Sequence, residues 1–209
     1  MKYTTVLFDL DGTLTKSDEG IRKSFDYALE TLFPGKVWDE EMFSGIIGPP
    51  LLWVCRNVFK FDEETSHECV RLYRERYAVK GKFENQLYDG VTEMIKALYD
   101  AGVKVCLCTS KPEHFAHDII NHFGIGEYFT FAGGASLSEE RGDKIAVMRY
   151  VLDNISEKDK SKILMVGDKH HDMEAAQLLG LDCAGVLYGY GSEDELMAYP
   201  HVILAKDAN

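Results

Sequence analysis

A doubly wound α/β sheet, interrupted early by an all-helical block, is the fold class this sequence predicts. Three observations predict it. Strand-like and helix-like segments alternate from Val103 onward. The strand-like runs are near-continuous in Val, Ile, Leu, Met and Cys, as strands covered on both faces are. Residues 16–85 show helical periodicity and no convincing strand.

The first strand runs from Tyr3 to Phe8 and ends in Asp9-Leu10-Asp11-Gly12-Thr13. Ile21, Phe25, Leu29 and Leu32 then recur on one helical face before Pro34-Gly35 closes the segment. A second helical stretch, Glu40 to Ile47, leads into Gly48-Pro49-Pro50, and Leu51 to Phe59 forms a short helix. Asp62 is placed to cap a longer helix that reaches Lys80, where Gly81 stops it. Gly90 to Ala101 carries Val91, Met94, Ile95 and Leu98 at helical spacing. Strands are expected at Val103 to Cys108, Tyr128 to Ala132, Ile163 to Val166, Ala184 to Leu187 and Val202 to Leu204, with helices after Pro112, Lys144 and Asp172. Residues 1–15 and 86–209 thus read as an α/β core domain, and 16–85 as an inserted helical cap.

Composition narrows the partners. The 209 residues carry a formal charge of −12 and have a pI near 5.0, a surface poorly suited to nucleic acid. No apolar run approaches the roughly 18 residues a membrane span needs, and the N-terminus enters a strand at once. A cytoplasmic protein with no membrane partner, monomeric or homodimeric, is expected. The five cysteines are odd in number and lie in apolar patterns, which argues for reduced, buried thiols. Cys106 and Cys108 fall on one face of a strand and read as packing, since structural zinc wants four ligands.

The chemistry concentrates at strand ends. The pattern D-x-D-G-T arises by chance in about one chain of this length in a thousand, so Asp9 and Asp11 carry weight. Alternate side chains of an extended segment point the same way, so both carboxylates can face one bound phosphate while Leu10 turns inward. Asp9 is suited to attack phosphorus and form an aspartyl-phosphate. Asp11 is placed to protonate the leaving oxygen and then activate water. Gly12 allows a tight turn, and the Thr13 hydroxyl is expected to tie that turn down.

Ligands of open parallel sheets bind beyond the carboxyl ends of the strands, so other site residues should end other strands. Thr109 and Ser110 do, offering a hydroxyl and N–H groups at the start of the helix that Pro112 opens; the same residues also read as a helix cap. Asp168 and Asp172 lie four apart across a strand-to-helix turn. They can reach one hard cation such as Mg2+, or equally form an acidic helix start. His170 and His171 read as solvent-facing spacers.

The ordered set Asp9-Leu10-Asp11-Gly12-Thr13, Thr109-Ser110, a later Lys, and Gly167-Asp168 with Asp172 resembles the haloacid dehalogenase superfamily over nearly the whole chain. The resemblance implies a Rossmann-like core with a helical cap, Mg2+ as cofactor, and a phosphatase acting through the first Asp. It implies that the Asp11 backbone carbonyl joins Asp9, Asp168 and Asp172 around the metal, that Thr109 and Ser110 hold phosphoryl oxygens, and that Lys144 is the charge-neutralising lysine. The retained Asp11 points to a phosphatase or a sugar phosphomutase, because dehalogenases and ion pumps lack it. Gly48-Pro49-Pro50 and Thr109-Ser110-Lys111-Pro112 look most like the phosphoglycolate phosphatase-like and 5′-nucleotidase-like branch. The implied substrate is a small phosphorylated metabolite, met by Gly12 in the core and by Gly48 and Pro49, with Ile21, Arg22 and Arg56, in the cap. Arg22 and Arg56 also read as solvated charge. Relatives add a closing helix beyond the last strand, so the sheet edge near Asn209 is expected to be less covered.

Overall fold

The computed structural model describes residues 2–136 and 141–208. Its contacts divide the chain into two compact units, Met1–Lys16 with Gln86–Asn209, and Ser17–Asn85.

The first unit is built on six strands: β1 (Thr5–Phe8), β4 (Lys104–Pro112), β5 (Phe129–Ala135), β6 (Ile163–Gly167), β7 (Asp182–Val186) and β8 (Ile203–Ala205). All pair in parallel, in the order β5-β4-β1-β6-β7-β8. From β1 the chain builds outward through β4 and β5 on one side, then returns to add β6, β7 and β8 on the other. The order therefore reverses at β1, which is where ligands bind in such sheets.

The alternation of β1 explains why helices cover both faces. Val6 and Phe8 join Val105 and Leu107 in a core with Ile95 of α4 (Val91–Asp100) and Ile119 and Ile120 of α5 (Glu113–His122). Leu7 faces the other way. It packs with Cys106, Cys108 and Met165 against Val147 and Met148 of α6 (Lys144–Asn154) and Met173 of α7 (His170–Leu179). Each such side chain removed from water contributes about 1.5–3 kcal/mol. All five cysteines are free and buried.

The second unit packs α1 (Asp18–Leu32) and α2 (Leu51–Asn57) on α3 (Glu63–Val79). Asp62 caps α3 by accepting from the Thr65 N–H at 2.8 Å. Phe25, Phe33, Trp38, Phe59, Phe61 and Tyr73 form a linked aromatic cluster within the unit.

Several boundaries differ from the sequence expectation. Glu40–Gly45 is a 3-10 turn capped by Asp39, not an α-helix. β4 runs four residues beyond the predicted end at Cys108, so Thr109 and Ser110 belong to the strand, and α5 starts only at Glu113. A short antiparallel pair that the sequence did not suggest, β2 (Thr15–Lys16) with β3 (Gln86–Leu87), brackets the stretch read as helical. A further helix, α8 (Glu193–Met197), is capped reciprocally by Ser192 and Glu195. No described helix is long and apolar enough to cross a membrane.

Candidate active site

Asp9 follows β1 directly, and its N–H continues the ladder to the Val166 carbonyl at 2.9 Å. The chain then turns. The Gly12 N–H donates to the Thr15 carbonyl at 2.8 Å, and the Thr15 hydroxyl donates to the Leu10 carbonyl at 3.2 Å. Thr15, not Thr13, thus ties the turn through its hydroxyl; the buried Thr13 hydroxyl instead donates to Asp168 Oδ1 at 3.4 Å. Gly12 has φ +88°, and a Cβ there would stand 2.1 Å from Asp168 Oδ2. Only glycine fits this approach.

Four of the predicted residues converge. Lys144 opens α6 behind the Asp143 cap, and its side chain is 6% exposed, unlike an ordinary surface lysine. Its ammonium lies 2.6 Å from Asp9 Oδ1 and 2.8 Å from Asp172 Oδ1, and donates to the Cys108 carbonyl at 2.9 Å. Asp172 has a second task, accepting from the Lys169 N–H at 3.2 Å at the start of α7. Asp168 is fully buried and accepts from the Tyr190 N–H at 2.7 Å through Oδ2. One oxygen from each of Asp9, Asp168 and Asp172 lies within 4.8 Å of the others.

The remaining predicted residues are not part of this carboxylate cluster. Asp11 pairs through Oδ2 with the Lys111 ammonium, and its charge is among those that act on Asp9. Thr109 is buried within β4, just before the bulge, and its Oγ1 accepts from the Lys111 N–H at 3.2 Å. Ser110 is half-buried in the same strand. Gly48, with φ +107°, and Pro49 belong to the helical unit, in the bend before α2. Arg22 pairs with Asp26 and Glu40, and Arg56 with Glu63. His171 is exposed and the His170 side chain is 39% exposed, as expected of spacers in a polar turn, although the His170 ring also pairs with Glu195. Sequence reasoning did not single out Lys111 or the loop around Tyr190. Gly189 and Gly191 let that loop press on Asp168, and their spacing was the signal available.

Electrostatics decide what the cluster can hold. Burial pushes the Asp9 carboxyl up to about 6 against the pull of Lys144. Burial, reinforced by the charges of Asp9 and Asp172, pushes Asp168 up to about 8. For Lys144 burial acts downward, but Asp172 and Asp9 outweigh it and hold the ammonium well above its ordinary value. Three buried carboxylates against one ammonium leave an excess of negative charge, and every donor is a hard oxygen. A divalent cation such as Mg2+ fits that donor set.

In metal-free protein, Asp9 and Asp168 keep protons in the folded state that the unfolded chain releases near pH 4. Stability therefore falls as pH rises from about 4 toward 8, the value to which Asp168 is raised. Thermal melts in chelator across this range should show the fall. Added Mg2+ should reduce it, and a flat chelated profile would contradict the charge assignment.

Comparison with known proteins agrees with this geometry. The family model for haloacid dehalogenase-like hydrolase matches residues 6–186. The chain is 40% identical over 199 residues to a 5′-nucleotidase of Pseudomonas aeruginosa, covering 95% of this chain and 89% of that one. It is 36% identical over 189 residues to the tyrosine-protein kinase PtkA of Mycobacterium tuberculosis, covering 90% of this chain and 64% of the kinase. The crystal structure of a predicted phosphatase from Clostridium acetobutylicum superposes with a TM-score of 0.89 at 38% identity, over 99% of this chain and 95% of that one. A buried carboxylate cluster at the switch point of the sheet, and a family match spanning nearly the whole core, lead to one conclusion: the chain belongs to the haloacid dehalogenase-like hydrolases and is a phosphatase of that family.

Proposed function

We propose that the protein hydrolyses small phosphate monoesters, nucleoside monophosphates or phosphoglycolate-like acids, by a Mg2+-dependent route through an aspartyl-phosphate on Asp9. The observation that carries this reading is the Asp9 carboxylate itself. It is held by Lys144 at 2.6 Å, at the point where strand order reverses, beside Asp168 and Asp172.

Asp9, Asp168 and Asp172, with the Asp11 carbonyl, would hold Mg2+, which when bound supplies positive charge to the phosphoryl oxygens. The residues do the rest. Asp9 attacks phosphorus as the ester P–O bond breaks, and Asp11 gives its proton to the leaving oxygen. Water then attacks the acyl-phosphate, Asp11 takes a proton from it, and phosphate leaves with Asp9 regenerated. Lys144 balances charge on Asp9 throughout, while the Thr109 and Ser110 hydroxyls bind phosphoryl oxygens. Gly12 contributes space more than hydrogen bonding, since its N–H is taken by Thr15.

The test is a phosphate-release assay over glycolate, sugar and nucleoside monophosphates, with Mg2+ and with chelator. Release of inorganic phosphate from at least one class, lost in chelator and regained with Mg2+, is the expected result. Transfer to a sugar or a tyrosine acceptor without release of phosphate would overturn it.

A further inference from the structure

The ion pair between Lys111 and Asp11 has a specific structural origin. β4 pairs with β5 up to Thr109 opposite Gly134, and the next pair is Pro112 opposite Ala135. Ser110 and Lys111 therefore face no residue of β5, and such a bulge redirects side chains beside a site. The bulge is held on both sides. The Lys111 N–H donates to Thr109 Oγ1 at 3.2 Å, and the Lys111 carbonyl presses on Gly134, where a Cβ would stand 2.7 Å from it. The Lys111 side chain is only 5% exposed, and its ammonium bonds Asp11 Oδ2. The other carboxylate oxygen, Asp11 Oδ1, is buried and makes no hydrogen bond among the described residues.

This arrangement distinguishes the two oxygens of one carboxylate. A buried polar atom without a partner is costly, so an unpaired oxygen beside a reacting centre points to a group that arrives with the substrate. We propose that Lys111 is a positioning residue that anchors Asp11 through Oδ2, so that Oδ1 is the oxygen that passes the proton. When the ester bond breaks, its electron pair stays on the leaving oxygen, which takes the proton from Oδ1. When water attacks the acyl-phosphate, its proton goes to Oδ1 and the Asp9–phosphorus bond breaks. The inference rests on the reading of Asp11 as acid and base.

Leaving groups separate this role from a purely structural one. An alkyl phosphate needs the proton as its P–O bond breaks, whereas p-nitrophenyl phosphate has a leaving group stable without it. Lys111→Met should lose kcat/KM on the alkyl ester by at least about tenfold more than on the aryl ester, a modest share of what acid catalysis supplies. Lys111→Arg should restore part of the alkyl rate. Equal losses on both esters would place Lys111 on the phosphoryl group or in the fold and overturn the proposal, as would loss on neither. Should Lys111→Met fail to fold, Gly134→Ala, which displaces the bulge and keeps the ammonium, must show the same ester-dependent loss. Asp11→Asn measured in parallel separates the two readings. An ester-dependent loss there without one in Lys111→Met defeats only the positioning role, and its absence in Asp11→Asn defeats the assignment of Asp11 itself.

Discussion

Asp9→Asn is expected to lower turnover by at least about 10⁴-fold, the scale seen when a nucleophile of an interdependent catalytic set is removed. The amide cannot form the acyl-phosphate, yet it keeps the size of the carboxylate and an oxygen for the Lys144 ammonium, 2.6 Å away in the native protein. Folding should be unharmed. The substitution also removes one of three crowded acidic groups, and burial already pushes Asp9 up to about 6. The metal-free variant should therefore melt at or above the native temperature. Activity above about one per cent of native, with mass spectrometry excluding deamidation back to Asp, would contradict attack by this carboxylate.

Lys144→Met has the opposite profile, a large stability cost together with lost activity. Methionine fills similar volume, but Asp9 and Asp172 then lose the ammonium that contacts both. Removing one partner of a buried ion pair costs about 3–5 kcal/mol, because the remaining charge is uncompensated. At this chain length, that corresponds to a fall in Tm of roughly 6–20 °C. The deficit should shrink as pH drops toward 5, because Asp9, pushed up to about 6 by burial, takes up a proton and no longer needs the counter-charge. The double variant Lys144→Met with Asp172→Asn should recover much of the stability and none of the activity. A single variant that melts like the native protein would show that Lys144 is not the counter-charge of this cluster.

Much of the core was legible because its signals are local. The β1 strand ends in its carboxylates within one short segment, and the alternation of strands with helices is periodic. The fold class follows from that pattern, and the structure shows the parallel sheet it implies. Asp62 as a helix cap was readable for the same reason. What stayed hidden depends on pairing between distant segments. The bulge that turns Lys111 toward Asp11 exists only as a difference in register between β4 and β5. The Tyr190 N–H that holds Asp168 comes from a loop 22 residues further along the chain. The Thr13 hydroxyl bonds Asp168 instead of the turn because β6 brings that carboxylate within reach, a pairing between distant segments, and the turn is tied by Thr15. Lys144 is marked in the sequence only by the family resemblance, since its residue type and position alone fit any surface lysine. Its burial becomes visible only once α6 is packed beside β4 and α7.

The central claim is that Asp9 carries phosphorus during turnover. The most direct test quenches the enzyme in acid during steady-state turnover of a labelled phosphate ester, reduces the acyl-phosphate with borohydride, and maps the modified peptide. The account predicts a single modified residue, Asp9, with no signal in Asp9→Asn. Modification at any other side chain, or none under conditions where phosphate is being released, would contradict it.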